Sequence, residues 1–320
     1  MEIKNIKIIN FKGFKECDIT FHLRINVFIG SNASGKTTLL TALLKSIYSI
    51  TQHFAHLQVN SEIVALTNED INYSARFCYI KTIISKFPEY NNDIETAIYL
   101  NSLPDNLEAE KKMVERRKYE FISWFQNRVR NGPITVPIIK FYPSNRGNIK
   151  YSEPLHWDKY PISQLETWSN IYLNTVSYSK FFHWFFENET NELRLQRDYK
   201  DFNVQNPTLQ NVRKALSKAF EHIGYRNIRI KTKQFQRAGT SKMTPNLVLE
   251  NEETKQDEFI DYKSDGERAL ITLVADIAYN LSLAKDFTND DDFLTSPGVV
   301  IIDEIETHLH PNWQRQLFLF

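Results

Sequence analysis

An eight-residue run, Gly30-Ser-Asn-Ala-Ser-Gly-Lys-Thr37, has the residue types and the spacing needed to bind phosphate groups. Glycines let backbone N–H groups converge on phosphate oxygens, and a helix that begins directly after them adds a partial positive charge. In such a loop a lysine lies on the β and γ phosphates, and a threonine hydroxyl binds Mg²⁺. The predicted phosphate-binding residues are Gly30, Asn32, Ala33, Ser34, Gly35, Lys36, Thr37 and Thr38, with Thr37 also predicted to bind the metal.

An acidic pair, Asp303-Glu304, follows four β-branched apolar residues, Val299-Val-Ile-Ile302. This pattern predicts a buried strand that ends in two carboxylates. The first carboxylate could hold Mg²⁺ directly or through water, and the second could polarise an attacking water molecule. An exposed acidic pair at a strand end is the alternative. Beside the glycine loop, the pattern favours Asp303 as a metal ligand and Glu304 as the catalytic base.

A third polar run, Ser264-Asp-Gly-Glu267, precedes apolar residues at helical spacing. Serine is a preferred residue at a helix start, where its side chain and the free N–H groups behind it can bind an anion. Taken alone, the run predicts only a well-capped helix. A role in binding phosphate depends on the other two runs.

The elements around the glycine loop have a recognisable order. Two short strand-like runs, at residues 3–9 and 17–21, are separated by Lys12-Gly13-Phe14, which predicts a hairpin. Residues 24–29 predict a buried strand leading into the loop, and apolar residues from Leu39 to Ile47 predict the helix after it. The order is therefore strand, glycine loop, helix.

The middle of the chain is less regular. Residues 49–134 are expected to be a mainly helical insertion, with a charged helix near 108–129. Its basic residues could face the phosphates of a single-stranded nucleic acid with aromatic rings nearby. The alternative is a solvated helix face with an aromatic stripe in the core. The basic residues concerned are Lys111, Lys112, Arg116, Arg117, Lys118, Arg128 and Arg130.

Beyond the insertion, residues 136–142 predict another buried strand, and residues 155–222 predict helices. Five large rings lie within Phe181 to Phe186, which favours a packing role over base stacking. Residues 226–262 return to strand alternation, with a hairpin turn at 251–253.

The composition limits the classes of function. Lys and Arg number 39, as do Asp and Glu, so no net charge attracts the whole chain to nucleic acid or anionic lipid. Two cysteines, Cys17 and Cys78, are expected to be ordinary thiols in a reducing compartment. Neither a signal peptide nor a long apolar segment is evident, so a cytoplasmic protein without membrane association is expected.

The order of glycine loop, Ser-x-Gly-Glu helix and acidic strand resembles the ABC-type ATPase heads of the SMC, RecF and OLD families. Two longer runs, Lys263–Arg268 and Gly298–Gln316, look like one bacterial group of these heads. That group includes the predicted virulence-associated ATPases and the anti-phage ATPases of Septu systems and some retrons. The segments 137–146 and 181–185 also look like that group's strand and helical-lid segments.

The resemblance implies an α/β P-loop head with a mixed sheet, an antiparallel N-terminal flank and a helical insertion. The expected domains are an N-terminal lobe (1–48), the insertion (49–134) and the rest of the head (135–320), which contains a helical lid (155–225). Two copies would clamp ATP and Mg²⁺. Ser264, Gly266 and Glu267 would contribute to the nucleotide site, with Ser264 and Gly266 reaching the γ-phosphate held by the opposite protomer. Lys12 and Gly13 would lie near the nucleotide.

By the same resemblance, residues 308–311 would form a loop at the dimer interface, although His308 and His310 could instead bind a transition metal with Asp303. Arg146 has no role that the sequence explains. These heads continue to a further strand whose histidine senses the γ-phosphate, and the chain has no candidate for it before Phe320. It is expected to be either a fragment or a shortened protein that hydrolyses ATP slowly.

Three functions remain open at this point. The first is a dimeric ATPase that senses or regulates in anti-phage defence and acts through a separate nuclease, since the chain has no nuclease signature of its own. The second is a RecF-like clamp that binds DNA directly. The third is a scaffold switched by nucleotide binding, with negligible hydrolysis.

Overall fold

A computed structural model describes residues 1–54, 65–132, 134–144, 166–169, 178–221, 224–237, 240–284 and 296–305. The chain divides into two compact units. The first contains Met1–Tyr142, Ile162–Leu173 and Ser296–Asp303, and the second contains Pro143–Pro161, Asn174–Thr295 and Glu304–Phe320. Residues 49–134 thus share a unit with the N-terminal lobe.

A four-stranded antiparallel sheet lies in the first unit, in the order β2-β1-β3-β4. Its strands are β1 (Glu2–Phe11), β2 (Phe14–Thr20), β3 (Cys78–Ser85) and β4 (Ile94–Leu100). The predicted hairpin is confirmed, because β1 pairs with β2 as far as Phe11 opposite Phe14. The sheet is the antiparallel N-terminal flank that the sequence predicted.

Strands β3 and β4 lie within residues 49–134, which the sequence predicted as a mainly helical insertion. β3 pairs with β1 along most of its length, so these residues complete the N-terminal sheet. The strands were missed because their polar and apolar residues do not alternate: Thr82, Glu95 and Thr96 are buried among the isoleucines. Both faces of the sheet are covered, and a strand buried on both faces loses the period-two pattern.

Two helices cover the sheet. Alternate residues of β3 face opposite sides, so Cys78 and Ile80 pack in the core that contains the leucines of α1 (Lys36–Thr51). Tyr79 packs on the other side with Leu107 and Val114 of α2 (Asp105–Arg130). The helices predicted after the glycine loop and near residues 108–129 are both confirmed.

The charged helix α2 has a solvated face and an aromatic core stripe, which was the alternative to a nucleic-acid-binding face. Phe121 and Phe125 are fully buried, and the Phe125 ring stacks on Trp168 of the short helix α3 (Glu166–Ser169), with the ring centroids 5.2 Å apart. The Trp168 indole N–H donates to the carbonyl of Pro137 at 2.6 Å. Several basic residues of α2 are in ion pairs with glutamates, namely Lys111, Arg116, Arg117 and Arg128.

The predicted buried strand at residues 24–29 does not form. Within the described chain these residues belong to no strand, and the side chains of Ile25 and Ile29 are 67% and 93% exposed. The Asn26 side chain accepts a hydrogen bond from His22 N–H (2.7 Å) and donates one to His22 O (2.9 Å). Such local bonds from asparagine offer the backbone an alternative to a strand ladder.

Two strands that are distant in the sequence, β5 (Ile138–Tyr142) and β9 (Gly298–Ile302), pair in parallel. Both were predicted as strands, at residues 136–142 and 299–302. The ladder continues past β9, because Asp303 N–H donates to Tyr142 O at 2.8 Å. The parallel pair and the antiparallel sheet together confirm a mixed α/β fold.

The described residues of the second unit form three α-helices and a small antiparallel sheet in the order β6-β7-β8. The elements are α4 (Tyr178–Tyr199), α5 (Pro207–Glu221), β6 (Tyr225–Arg237), β7 (Thr240–Asn251), β8 (Asp257–Phe259) and α6 (Asp265–Ala284). The packing role of the rings in α4 is confirmed: Phe181, Trp184 and Phe185 are buried, and Trp184 contacts Tyr279 of α6. The predicted turn after Asn251 is also present.

The cysteines are ordinary thiols, as predicted. Both are free, and burial raises the pKa of Cys78 to about 11, so this thiol is protonated at neutral pH.

None of the helices in the described part of the chain has the length and apolar character needed to span a bilayer.

Candidate nucleotide site

The glycine loop joins an exposed irregular segment to α1. Its residues Ala33 (φ 64°) and Gly35 (φ 96°) have left-handed backbone conformations, and Gly35 is the N-cap residue of α1. A β-carbon on Gly35 would lie 2.9 Å from the ring of Phe14, so a side chain is excluded by space as well as by conformation. No side chain caps α1, and its first N–H groups therefore need an acceptor from elsewhere.

The Lys36 side chain folds back onto the start of the loop. Its ammonium donates hydrogen bonds to the carbonyl oxygens of Gly30 (2.7 Å) and Ser31 (3.0 Å), so its positive charge lies beside these two residues. A β-carbon on Gly30 would be 2.6 Å from Ser34 Oγ, which makes Gly30 a close-approach position. The side chains of Asn32, Ala33 and Ser34 are exposed. The loop is therefore open to a ligand.

Thr37 and Asp303 are in direct contact although 266 residues separate them in the sequence. The Thr37 hydroxyl donates to Asp303 Oδ2 at 2.9 Å, and the Asp303 residue is only 4% exposed. Both belong to the first unit, where α1 begins beside the end of β9. A hydroxyl and a carboxylate oxygen at this spacing are ligands of the kind that Mg²⁺ prefers, so the residues present fit the metal. Thr38 follows in the first turn of α1 and is half-buried.

Glu304 directly follows Asp303 in the chain and is exposed. Its φ of 47° is in the left-handed region, which a glutamate rarely adopts. The chain turns sharply at this residue, so that neighbouring carboxylates have opposite environments, one buried and one open to water. Unusual backbone conformations of this type are frequent at functional sites.

The start of α6 is a complete capping box, which confirms the predicted helix cap. Glu267 accepts hydrogen bonds from Ser264 N–H (2.9 Å) and Ser264 Oγ (2.7 Å), and Ser264 Oγ accepts one from Glu267 N–H (3.3 Å). Gly266 lies half-buried in the first turn. In this conformation the Ser264 hydroxyl is committed to the helix cap and would have to leave Glu267 to bind a phosphate.

A buried lysine supports that cap and was not predicted as functional. The Lys263 ammonium contacts Tyr225 Oη and Glu258, and Tyr225 Oη donates to Glu267 Oε1 at 3.2 Å. Burial favours the neutral amine, but the hydrogen bonds to Glu258 and Tyr225 prevail and raise the pKa of Lys263. A positive charge is thus fixed beside the first turn of α6.

The Lys12-Gly13 turn lies beside the glycine loop, through the contact between Phe14 and Gly35. Asp70 contacts Lys12 with both its backbone and its side chain. The sequence singled out Lys12 and Gly13 but missed Asp70, because a lone aspartate in a polar stretch carries no signal of burial. Residues 308–311 and Arg146 lie outside the described residues. In the part of the chain that is described, no three His, Cys, Asp or Glu side chains are grouped to hold a metal ion.

Comparison with known families gives a match over most of the chain. The family described as "AAA domain, putative AbiEii toxin, Type IV TA system" matches residues 25–320. Among solved structures, the recombination mediator protein RecF-ATP in the RecFOR pathway aligns with 99% of this chain and 88% of its own. That alignment has 12% identity and a TM-score of 0.42.

Curated relatives of similar sequence include two proteins of retrons. The Retron Vc95 probable ATPase of Vibrio cholerae is 23% identical over 99% of this chain and 67% of its own length. The Retron Ec83 probable ATPase of Escherichia coli is 23% identical over 99% of this chain and 65% of its own length. The chain therefore spans about two thirds of the length of these relatives. The DNA replication and repair protein RecF of Clostridium beijerinckii is 29% identical over 56% of this chain and 42% of its own length. These matches confirm the predicted resemblance.

Proposed function

Because the chain belongs to this AAA-domain family, we propose that it binds ATP and Mg²⁺ on residues 30–38 and hydrolyses the nucleotide as a dimer. The observation that carries the proposal is the Thr37–Asp303 contact, which joins the glycine loop to the acidic strand. A phosphate-binding loop without a metal-binding carboxylate would be a binding module only. The pairing of the two in one compact unit supports hydrolysis.

The residues of the loop have separate roles in this proposal. The uncapped N-terminus of α1 and the loop N–H groups bind the phosphate oxygens. Lys36, which bonds to Gly30 O and Ser31 O, exchanges those carbonyls for β and γ phosphate oxygens. Thr37 Oγ1 and the Asp303 carboxylate would hold Mg²⁺. When bound, the metal would supply positive charge to neutralise the charge that develops during transfer.

Glu304 acts as the general base. It accepts a proton from the attacking water, whose oxygen forms the new bond to the γ-phosphorus as the bond to the ADP oxygen breaks. Its exposure and the turn at its backbone support this role, because the carboxylate is accessible to water while Asp303 stays buried. ADP and inorganic phosphate are the products.

The second protomer completes the site. Ser264 and Gly266 bind the γ-phosphate of the nucleotide held by the partner, and Glu267 releases the Ser264 hydroxyl as this happens. The capped α6 presents N–H groups and the nearby Lys263 charge, which favour an anion. Two relatives are named as probable ATPases of retrons, which supports a place in anti-phage defence. We propose that ATP-driven dimerisation there controls a separate nuclease.

The solution mass, measured with and without ATP·Mg²⁺, tests this proposal. We expect the mass of the wild-type protein to double with ATP·Mg²⁺, because γ-phosphate contacts from the partner would form only in the sandwich. Lys36→Ala is expected to stay monomeric, since it loses the charge that holds the phosphates. Ser264→Ala should bind nucleotide but dimerise less. A wild-type protein that stays monomeric in every condition would contradict the dimer, and equal masses for wild type and Lys36→Ala would contradict the loop's role.

A second candidate, direct DNA binding, is favoured by a basic groove of about 700 Å³ between α5 and β6. It is lined by Arg213, Lys214, Lys218, Arg226 and Arg229, together with Glu189 and Glu252. Lys214 and Lys218 are exposed and, as far as the chain is described, form no ion pair, whereas Arg213 bonds to Glu189 and Glu192. Two uncompensated ammonium groups beside a concave surface suit a phosphate backbone.

If this groove binds DNA, affinity should appear only with ATP and fall steeply with salt, because phosphate contacts release counterions. Lys214→Gln/Lys218→Gln should weaken binding and reduce the slope of log K against log salt by about two, about one for each lost contact. Lys200→Gln/Lys255→Gln, outside the groove, serves as the matched control. An absence of DNA affinity at low salt with ATP present would dismiss this candidate.

A further inference from the structure

Asp70 is a buried carboxylate that none of the predicted motifs includes. It ends a short 3₁₀ turn (Asn68–Asp70) and is 4% exposed. Its Oδ2 lies 3.1 Å from the ammonium of Lys45, which is also buried, and its Oδ1 lies 3.4 Å from the ammonium of Lys12. One carboxylate thus joins a lysine of α1 to a lysine of the β1–β2 turn.

The same segment holds the backbone of that turn. Lys12 N–H donates to Asp70 O at 2.7 Å, and the Asn72 side-chain amide donates to Lys12 O at 2.6 Å. Asn72 N–H donates to Asn10 O at 2.8 Å. Asn10 (φ 55°) and Lys12 (φ 48°) both have left-handed conformations. Two such residues, one at the end of β1 and one in the turn, persist only when their surroundings hold them, and residues 70–72 provide these contacts.

The β1–β2 turn also contacts the glycine loop. Phe14 follows Gly13, and its ring lies so close to Gly35 that a β-carbon there would be 2.9 Å away. From the other side, Lys45 lies on α1, the helix that begins at Lys36. Asp70 is therefore linked to the loop by two routes, through the turn to Gly35 and through Lys45 to the helix.

We propose that Asp70 is a positioning residue of the nucleotide site, which fixes the Lys12–Phe14 turn against Gly35 and so keeps the glycine loop in its phosphate-binding shape. The inference rests on the proposed function. Burial favours the neutral acid, but hydrogen bonds from Thr67 N–H and Lys45 prevail and hold the pKa of Asp70 below its usual value. At neutral pH the carboxylate is charged and compensates the buried Lys45.

Asp70→Asn tests the role, because asparagine has the same shape but no charge. The measurement is the Kd of a non-hydrolysable fluorescent ATP analogue with Mg²⁺, together with the Tm of the free protein. We expect the Kd to rise about tenfold, the scale typical of residues that orient ligand-binding groups. Asp70→Asn/Lys45→Met also removes the lysine charge that would be left buried and alone. It should recover most of the Tm but keep the raised Kd.

Glu95→Gln is the matched control. Glu95 is 6% exposed and pairs with Lys81 and Arg117, so it too is a buried acid between two cations. It lies on β4 opposite Ile83, whose partner on β1 is Asn5, whereas Asp70 contacts Lys12, just beyond the other end of β1. Glu95→Gln should lower the Tm and leave the Kd unchanged.

The outcomes separate the two proposals. Wild-type protein that binds the analogue, with an unchanged Kd in Asp70→Asn, would overturn the positioning role alone. A Kd that rises equally in Asp70→Asn and Glu95→Gln, or returns to the wild-type value in the double variant, would show a general effect of stability and also overturn it. Wild-type protein that binds the analogue no better than Lys36→Ala would overturn the proposed function, and this inference with it.

Discussion

Replacing Glu304 by Gln is expected to lower kcat for ATP hydrolysis by about 10²- to 10⁴-fold, the contribution of a well-placed general base. The affinity for ATP·Mg²⁺ should remain, because the amide has the same size and Asp303, the proposed metal ligand, is intact. Phosphate release under steady-state conditions gives kcat, and titration with the fluorescent analogue gives the affinity. Slow hydrolysis with intact binding should also trap the dimer, so the variant should have the doubled mass at low ATP concentration.

The control for this substitution is Glu120→Gln, on the solvent face of α2, where the carboxylate pairs with the exposed Arg116. It makes the same change of acid to amide and should leave kcat unaltered. Equal, very low rates in wild type and Glu304→Gln would exclude a general base and favour a scaffold that is switched by nucleotide binding alone. In phage-infected cells, restriction that persists in Glu304→Gln would contradict a defence role that depends on hydrolysis.

Replacing Asp303 by Asn is expected to raise the Mg²⁺ concentration needed for half-maximal hydrolysis by about 10²-fold, because a metal site loses its negatively charged ligand. Asparagine keeps an oxygen that can accept the Thr37 hydroxyl bond, so the contact between α1 and the end of β9 should survive. The measurement is ATP hydrolysis over a Mg²⁺ titration at saturating ATP, with the Tm recorded to verify folding.

Thr37 provides the matched pair of variants for the same site. Thr37→Ser keeps the hydroxyl and should retain the wild-type Mg²⁺ response, whereas Thr37→Val removes it at nearly constant volume and should shift the response in the same direction as Asp303→Asn. A Mg²⁺ response that is the same in Asp303→Asn, Thr37→Val and wild type would refute the assignment of these two residues as metal ligands.

Elements whose signals are local were predicted correctly from the sequence. The helix after the glycine loop, the charged helix, the β1–β2 hairpin and the strands β5 and β9 all have their periodicity or turn residues within a short window. The cap of α6 is a clear case, because Ser264 and Glu267 form the reciprocal bonds that their spacing of three residues predicts. In each of these elements the interactions that decide the structure are between near neighbours.

Other features depend on packing that no short window contains. β3 and β4 were missed because α1 and α2 cover opposite faces of their sheet and allow Thr82 and Glu95 to be buried. Residues 24–29 have strand-forming side chains, yet the described chain supplies no strand beside them and Asn26 bonds locally to His22. A strand requires a partner as well as a propensity, and partners come from distant parts of the chain.

In the candidate site, too, some features have local sequence signals and others depend on contacts between distant residues. The sequence by itself was enough to predict which residues would bind phosphate, metal and water, because that chemistry is stated by residue types and their spacing. Only the tertiary structure decided that Thr37 touches Asp303 across 266 positions, and that Asp70 lies between Lys12 and Lys45. The physical reason is that a contact between distant residues depends on the path of the whole chain, which strand pairing and burial select together.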